Sequence, residues 1–282
     1  MNLHTHTNYC DGLCDPVEYF EKAIELNWKF IGFSAHAPIP FQCEWCINES
    51  DITNYIHEIQ SLGKHYQKAI NTYIGWEIDY LHGKDFPALQ DIQILKADYH
   101  ICSIHYLPIL KSNNNVIEYI EIDGSFSDFS RIVNYYNDSL EEVLNLYLNN
   151  LRTMLSLPFP EVKIIGHIDK ICINAEQFPI FKKYAEDFYN QLYEILRDQP
   201  KNTVILEINT RSIYNKNRSN PYPNYQFLNK ISDLNIPTIL SSDAHHACEL
   251  KQGFSTLNEQ IEKQNISINW LNVEDFISHH IL

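Results

Sequence analysis

His4-Thr5-His6 near the start of the chain and Asp243-Ala244-His245 near its far end carry metal-ligand residue types at the same spacing. Both follow short apolar segments that read as β-strands. In an extended segment, residues i and i+2 point to the same side, as two ligands to one cation require. Pairs so far apart in sequence serve one site only if the first and last strands meet. A chain built this way reads as a metalloenzyme whose fold closes on itself.

The segments between the two pairs supply the rest of such a fold. Asp15-Pro16-Val17-Glu18 gives an N-cap, a proline at the first helical position and a carboxylate at the third, ahead of Val17, Phe20 and Ile24 at helical spacing. The same apolar period runs through Ile52, Tyr55, Ile56, Ile59 and Leu62, through Val143, Leu144, Tyr147, Leu148 and Leu151, and through Phe181, Tyr184, Phe188, Leu192 and Ile195. Between these helices lie β-prone runs at Phe30–Phe33, Thr72–Trp76, Tyr99–Ile104, Val162–Ile165, Val204–Ile208 and Pro237–Leu240, seven strands in all with the N-terminal segment. Alternating strands and helices imply a parallel sheet with right-handed crossovers, and this many units favour a closed α/β barrel over an open doubly wound sheet.

The residues just beyond each strand point to the chemistry. His4 and His6 stand after the first, His36 after the second, Glu77 after the third, His105 after the fourth, His167 after the fifth, and Asp243 with His245 after the seventh. Parallel barrels gather these strand ends on one face, where active sites are built. Glu77 has two oxygens and can bridge two cations, and the ligands exceed what a single ion needs, so a multinuclear site is expected. Mixed His and carboxylate ligation without Cys suits Zn, Mn or Fe better than Mg or Ca. His100 sits inside its strand and reads as scaffold, His57 and His65 as helix surface, and His279-His280 as a solvated tail.

Composition narrows the partners. A chain of 282 residues, 44% of them hydrophobic, without a Gly/Ser linker or a repeat, reads as a single domain over 1–282, with one polar stretch at Lys111–Asn115. A net charge of -15 with no Lys/Arg run disfavours nucleic acid and points to a small-molecule substrate. Bound divalent cations would offset part of that charge. No signal peptide and no apolar run of membrane-spanning length is visible, so the expected location is cytoplasmic. Seven cysteines argue against a disulfide framework, and Cys43-Glu44-Trp45-Cys46 is expected to hold buried or loop thiols.

At its candidate ligands the chain resembles the PHP (polymerase and histidinol phosphatase) family, specifically its stand-alone histidinol-phosphate phosphatases. The resemblance rests on His4-Thr5-His6-Thr7 with Asp11-Gly12, Ser34-Ala35-His36, Gly75-Trp76-Glu77-Ile78-Asp79, Ser103-Ile104-His105, Gly166-His167-Ile168-Asp169 and Ser241-Ser242-Asp243-Ala244-His245, and spans nearly the whole chain. It implies a distorted (β/α)7 TIM-like barrel with three divalent metal ions at the C-terminal ends of the strands. His4, His6, Glu77 and Asp243 would hold one, Glu77 would bridge to a second held by His105 and His167, and Asp11, His36 and His245 would hold the third.

The resemblance continues through Glu207-Ile208-Asn209-Thr210-Arg211, followed by Lys216 and Arg218, where an Arg fork suits phosphate oxygens. The stretch Ser212–Arg218 lacks the glycine common there in the family and carries an extra residue. Asp79 and Asp169 are candidates to orient ligand imidazoles. The implied reaction is hydrolysis of L-histidinol phosphate, a phosphate monoester, by a metal-bridging hydroxide, with Glu77 and Asp243 at its centre. Other specificities in the same superfamily, for phosphotyrosine or DNA 3′ ends, and a metal-binding module without turnover are the alternatives.

Overall fold

The computed structural model describes residues 2–111, 115–216 and 218–272, so His279-His280 lie outside the described residues. The strands are β1 (Phe30–His36), β2 (Asn71–Asp79), β3 (Tyr99–Ser103), β4 (Tyr106–Leu110), β5 (Val116–Glu121), β6 (Lys163–Ile165), β7 (Val204–Asn209) and β8 (Thr238–Ser241). Six of them run parallel in the order β1-β2-β3-β6-β7-β8, while β4 and β5 pair antiparallel as a separate hairpin. The expected helices form at Pro16–Glu25, Ile52–Tyr66, Leu140–Ser156 and Phe181–Arg197. At the first of these the Asp15 amide donates to Glu18 Oε1 at 3.1 Å, the reciprocal half of a capping box.

The N-terminal segment differs from its expectation as a regular strand. It forms an extended seam: the Gly32 and Ser34 amides donate to the Asn2 and Thr5 carbonyls, both at 2.9 Å, and on the other side His6 N donates to Ala244 O at 2.9 Å. Side-chain acceptors break its ladder, since Asn2 Oδ1 takes the His4 amide and Ser34 Oγ takes that of Thr5. The seam nonetheless joins β1 to the segment after β8 and closes the distorted barrel. Thr5 and Ala244 form a parallel bridge, so the His4/His6 pair lies beside the Asp243/His245 pair.

Alternation along the strands builds two stacked layers inside the ring. Leu3, Tyr99, Ile101, Ile164, Ile205 and Ile239 form one buried apolar cluster. Two residues further along β3, β7 and β8 stand Ser103, Glu207 and Ser241, all buried and polar. The residues of opposite parity, including Phe33, Ile78, Ile165 and Leu206, face outward and join Tyr19, Phe20, Tyr55, Ile59, Tyr147, Phe188 and Leu192 from the helices in the larger core. An apolar plug thus underlies a polar floor, and the site stands on that floor.

Gly32 and Gly75 leave room for the Tyr99 ring, whose hydroxyl donates to the Leu3 carbonyl of the seam. A Cβ on Gly75 would overlap that ring. Gly75→Ala is therefore predicted to destabilise the fold by about 1–3 kcal/mol, seen as a lower urea midpoint at unchanged slope. An unchanged midpoint would show that the ring is free to move aside. Among the described residues no helix is long and apolar enough to cross a membrane.

Candidate metal centre

Every residue expected at the strand ends converges on one end of the barrel. His36 closes β1 and is in register with Glu77 on β2. His105 follows β3, His167 follows β6, and Asp243 follows β8. His167 (φ 21°) and Asp243 (φ 53°) adopt left-handed backbone conformations, an arrangement that side-chain-bearing residues take where the surroundings enforce it. The enforcement at His167 is visible: Glu207 Oε2 accepts its amide at 2.8 Å.

Glu77 occupies the middle, and its two oxygens face different groups. Oε2 lies 3.0 Å from His4 Nε2, 3.4 Å from His6 Nε2 and 3.0 Å from His36 Nδ1. Oε1 lies 3.0 Å from His167 Nε2 and 3.6 Å from His105 Nε2, and accepts from Ser103 Oγ at 2.6 Å. Asp243 Oδ1 stands 3.7 Å from His4 Nε2 and 3.4 Å from His6 Nε2. Asp11 joins on the outer side, 2.9 Å from His245 Nε2 and 3.8 Å from His36 Nε2. Four overlapping sets of donor atoms fall within 4.8 Å of one another: His6, Asp11, His36 and His245; His4, His167 and Asp243; His4, His6 and Glu77; and His36, Glu77 and His105.

Three of the imidazoles and the two inner carboxylates are in the state that cations need. Burial pushes the pKa of His36 well below its usual value and that of His6 down to about 4, with His245 adding to the shift at His6. Burial and Lys170 lower His167. These imidazoles are neutral near pH 7 and keep a free lone pair. Burial alone would raise the carboxyl pKa values of Glu77 and Asp243, yet the surrounding histidines, His4 foremost, hold both well below the carboxylate range. His4 and His105 differ from these: burial opposes the protonation of both, but Glu207, Asp243 and Glu77 raise the pKa of His4 well above 6.5, and Asp79 with Glu77 raises that of His105 to about 9. A cation bound at either imidazole competes with that proton. His6 Nε2, Asp11 Oδ1 and His36 Nδ1 are buried without a hydrogen-bond partner, which is unusual for polar atoms unless they serve another ligand. The donor set fits divalent metal.

Two residues hold ligands in place, and only one of them was expected. Asp79 accepts from the His105 amide at 2.8 Å and from His105 Nδ1 at 3.0 Å, which turns Nε2 toward Glu77 and His167. Glu207 does the same for His4, with Oε1 2.5 Å from Nδ1, and also accepts from Ser241 Oγ and Asn209 Nδ2. Asp169, expected in such a role, instead accepts from Tyr189 Oη at 2.9 Å and the Asn224 amide at 3.1 Å, and touches no ligand imidazole. Glu207→Gln is predicted to weaken metal affinity by about ten- to a hundredfold, measured by chelator competition. Wild-type affinity in that variant would remove Glu207 from the centre.

A cavity opens above the cluster, lined among others by Trp45, Glu121, Lys170, Arg211, Lys216 and Tyr222. Arg211 donates to the Asp243 carbonyl at 2.8 Å. Arg218 pairs with Glu176 and is not among the lining residues. Lys170, which the sequence did not single out, extends over the centre, its Nζ 3.2 Å from His105 Nε2 and 3.0 Å from Asp123 Oδ2. Trp45 leans edge-on against His36 and His105, with centroids 4.4 and 5.3 Å away. Its neighbours Cys43 and Cys46 are disulfide-bonded rather than the thiols expected, since the loop brings their Cα atoms to 5.5 Å. The remaining five cysteines are free.

The family described as PHP domain matches residues 2–211. The histidinol-phosphatase of Bacillus subtilis is 24% identical over 270 residues, covering 91% of this chain and 97% of that protein. The crystal structure of a putative histidinol phosphatase from Listeria monocytogenes matches with a TM-score of 0.72 at 26% identity, over 90% of this chain and 98% of its own. The fold is shared as well with a histidinol phosphate phosphatase from Lactococcus lactis, complexed with Zn, L-histidinol and phosphate. That match has a TM-score of 0.66 at 21% identity, over 96% of this chain and 94% of the other.

Proposed function

The chain belongs to the PHP domain family, and on that premise we propose that it hydrolyses L-histidinol phosphate to L-histidinol and inorganic phosphate, a step of histidine biosynthesis. The observation that carries this reading is the central Glu77, whose Oε2 faces His4, His6 and His36 while Oε1 faces His105 and His167. One carboxylate turned toward two sets of imidazoles suits a bridge between ions, the arrangement used to clamp a phosphoryl group. The relatives named histidinol-phosphatase support the substrate.

In this reading His4, His6, Glu77 and Asp243 hold one ion, Glu77, His105 and His167 a second, and Asp11, His36 and His245 a third. Zinc is the first choice, given the Lactococcus structure, with manganese or iron as substitutes. Bound divalent ions supply Lewis acidity toward phosphoryl oxygens and lower the pKa of water. The protein's own share is positioning and charge. Arg211, Lys216 and Lys170 line the cavity and offset the phosphate's negative charge, while Arg218 is engaged by Glu176, and Asp79 and Glu207 fix the imidazoles that they touch. The whole chain works as one domain, in the cytoplasm, on a soluble small molecule.

The test is a comparison of turnover on L-histidinol phosphate, phosphotyrosine and single-stranded DNA with zinc or manganese added. The reading requires the first to be hydrolysed with the highest kcat/KM. A preference for phosphotyrosine or DNA, or stoichiometric metal without phosphate release, would overturn it.

A further inference from the structure

The hairpin of β4 and β5 reaches the cavity through its last residue, and Asp123 and Gly124 just beyond it line the cavity too. Glu121 ends β5, in register with Tyr106 on β4. Its Oε1 accepts from Trp45 Nε1 at 3.0 Å and from Tyr106 Oη at 3.3 Å. Both donors are neutral, so they orient the carboxylate without cancelling its charge. Asp123, two residues on, differs in this respect, because the Lys170 ammonium lies 3.0 Å from it. Of the two hairpin-side carboxylates at the cavity, Glu121 is the one without a cationic side chain in salt-bridge contact among the described residues.

The surroundings hold Glu121 in this posture. Trp45 stacks on Tyr106 with centroids 5.5 Å apart, fixing both donors. Asn174 Nδ2 bonds the carbonyls of Ile122 and Gly124 at 2.9 and 3.2 Å, which pins the turn beyond β5. Gly124 also lines the cavity, and a Cβ there would come within 2.9 Å of Glu121 Oε2. The missing side chain leaves the second oxygen uncrowded.

We propose that Glu121 is the specificity residue for the organic end of the substrate: it receives an ammonium carried near the phosphate, selecting amino-alkyl phosphates over neutral esters. This rests on the functional reading above and extends it. Lys170, Arg211 and Lys216 line the cavity and draw the phosphate, and Glu121, lining the same cavity, supplies the complementary charge for an ammonium. A hydrogen bond between charged groups carries the recognition, and the side chain takes no part in bond breaking.

The test uses two esters, L-histidinol phosphate and imidazolylpropyl phosphate, the same ester without its amino group. Wild-type enzyme should favour the first, and Glu121→Gln should reduce that preference in kcat/KM by about ten- to a hundredfold, with the loss residing in KM for L-histidinol phosphate. Gly124→Ala, which retains the charge but crowds Oε2, should reduce the preference in the same direction. Equal losses on both esters, or a wild-type preference that survives Glu121→Gln, would overturn the assignment and leave the phosphatase reading standing. Poor turnover of both esters by the wild type, alongside rapid cleavage of phosphotyrosine, would overturn that reading and this proposal with it.

Discussion

Glu77→Gln is expected to lower turnover of L-histidinol phosphate by on the order of a hundred- to a thousandfold while the fold persists. The substitution keeps the size of the side chain and its contact with Ser103, which donates to Oε1 at 2.6 Å. What it removes is charge and one ligating oxygen. In place of that oxygen an amide N–H2 would face either the His4, His6 and His36 group or the His105 and His167 group. No rotamer satisfies both, since an amide nitrogen has no lone pair to give a cation. The buried carboxylate also offsets cationic charge at the centre, so its loss should lower metal content as well as rate. Circular dichroism and thermal melting would establish that the variant is folded, and elemental analysis that it is metallated. Wild-type turnover in a folded, metallated Glu77→Gln enzyme would exclude a bridging role.

The clustering of the candidate ligands was legible in the sequence because their chemistry is tied to a simple geometry. His and carboxylate residues just beyond apolar strands, at i and i+2 spacing, have few other reasons to recur around a chain. Glu207 was not singled out, although a signal exists. Ile205 belongs to the inner apolar cluster, so alternation along β7 turns Glu207 inward as well, and a carboxylate at an inward strand position has no water to solvate it. Its partner, His4 Nδ1, is more than two hundred residues away in sequence, beyond any local pattern.

Asp169 misled for the opposite reason. It follows a ligand histidine as Asp79 follows a ligand glutamate, but Asp79 continues a regular strand, whereas the chain turns at His167 and directs Asp169 to Tyr189 and Asn224. The hairpin escaped notice because only two residues separate β3 from β4, so Tyr106–Leu110 has no turn signal to set it apart from the run at Tyr99–Ile104. Pro108 and the acidic positions of β5 further blur the alternation. Lys170 carried no motif at all, and its place over His105 comes from the turn after β6.

Removal of metal is the second change expected to abolish activity. The centre brings together the carboxylates of Asp11, Glu77 and Asp243 with imidazoles that burial keeps neutral at His6, His36 and His167. The cationic side chains of the cavity can bind phosphate without cleaving it. Treatment with a strong chelator should therefore leave a folded protein that binds L-histidinol phosphate weakly and does not release phosphate. The most direct measurement tracks bound zinc and phosphate release in the same samples as the stripped protein is titrated with the ion. Activity should be at background without metal, return in step with zinc, and saturate above one ion per chain. Full turnover in protein verified to be metal-free, or saturation at a single equivalent, would contradict a multinuclear metal phosphatase.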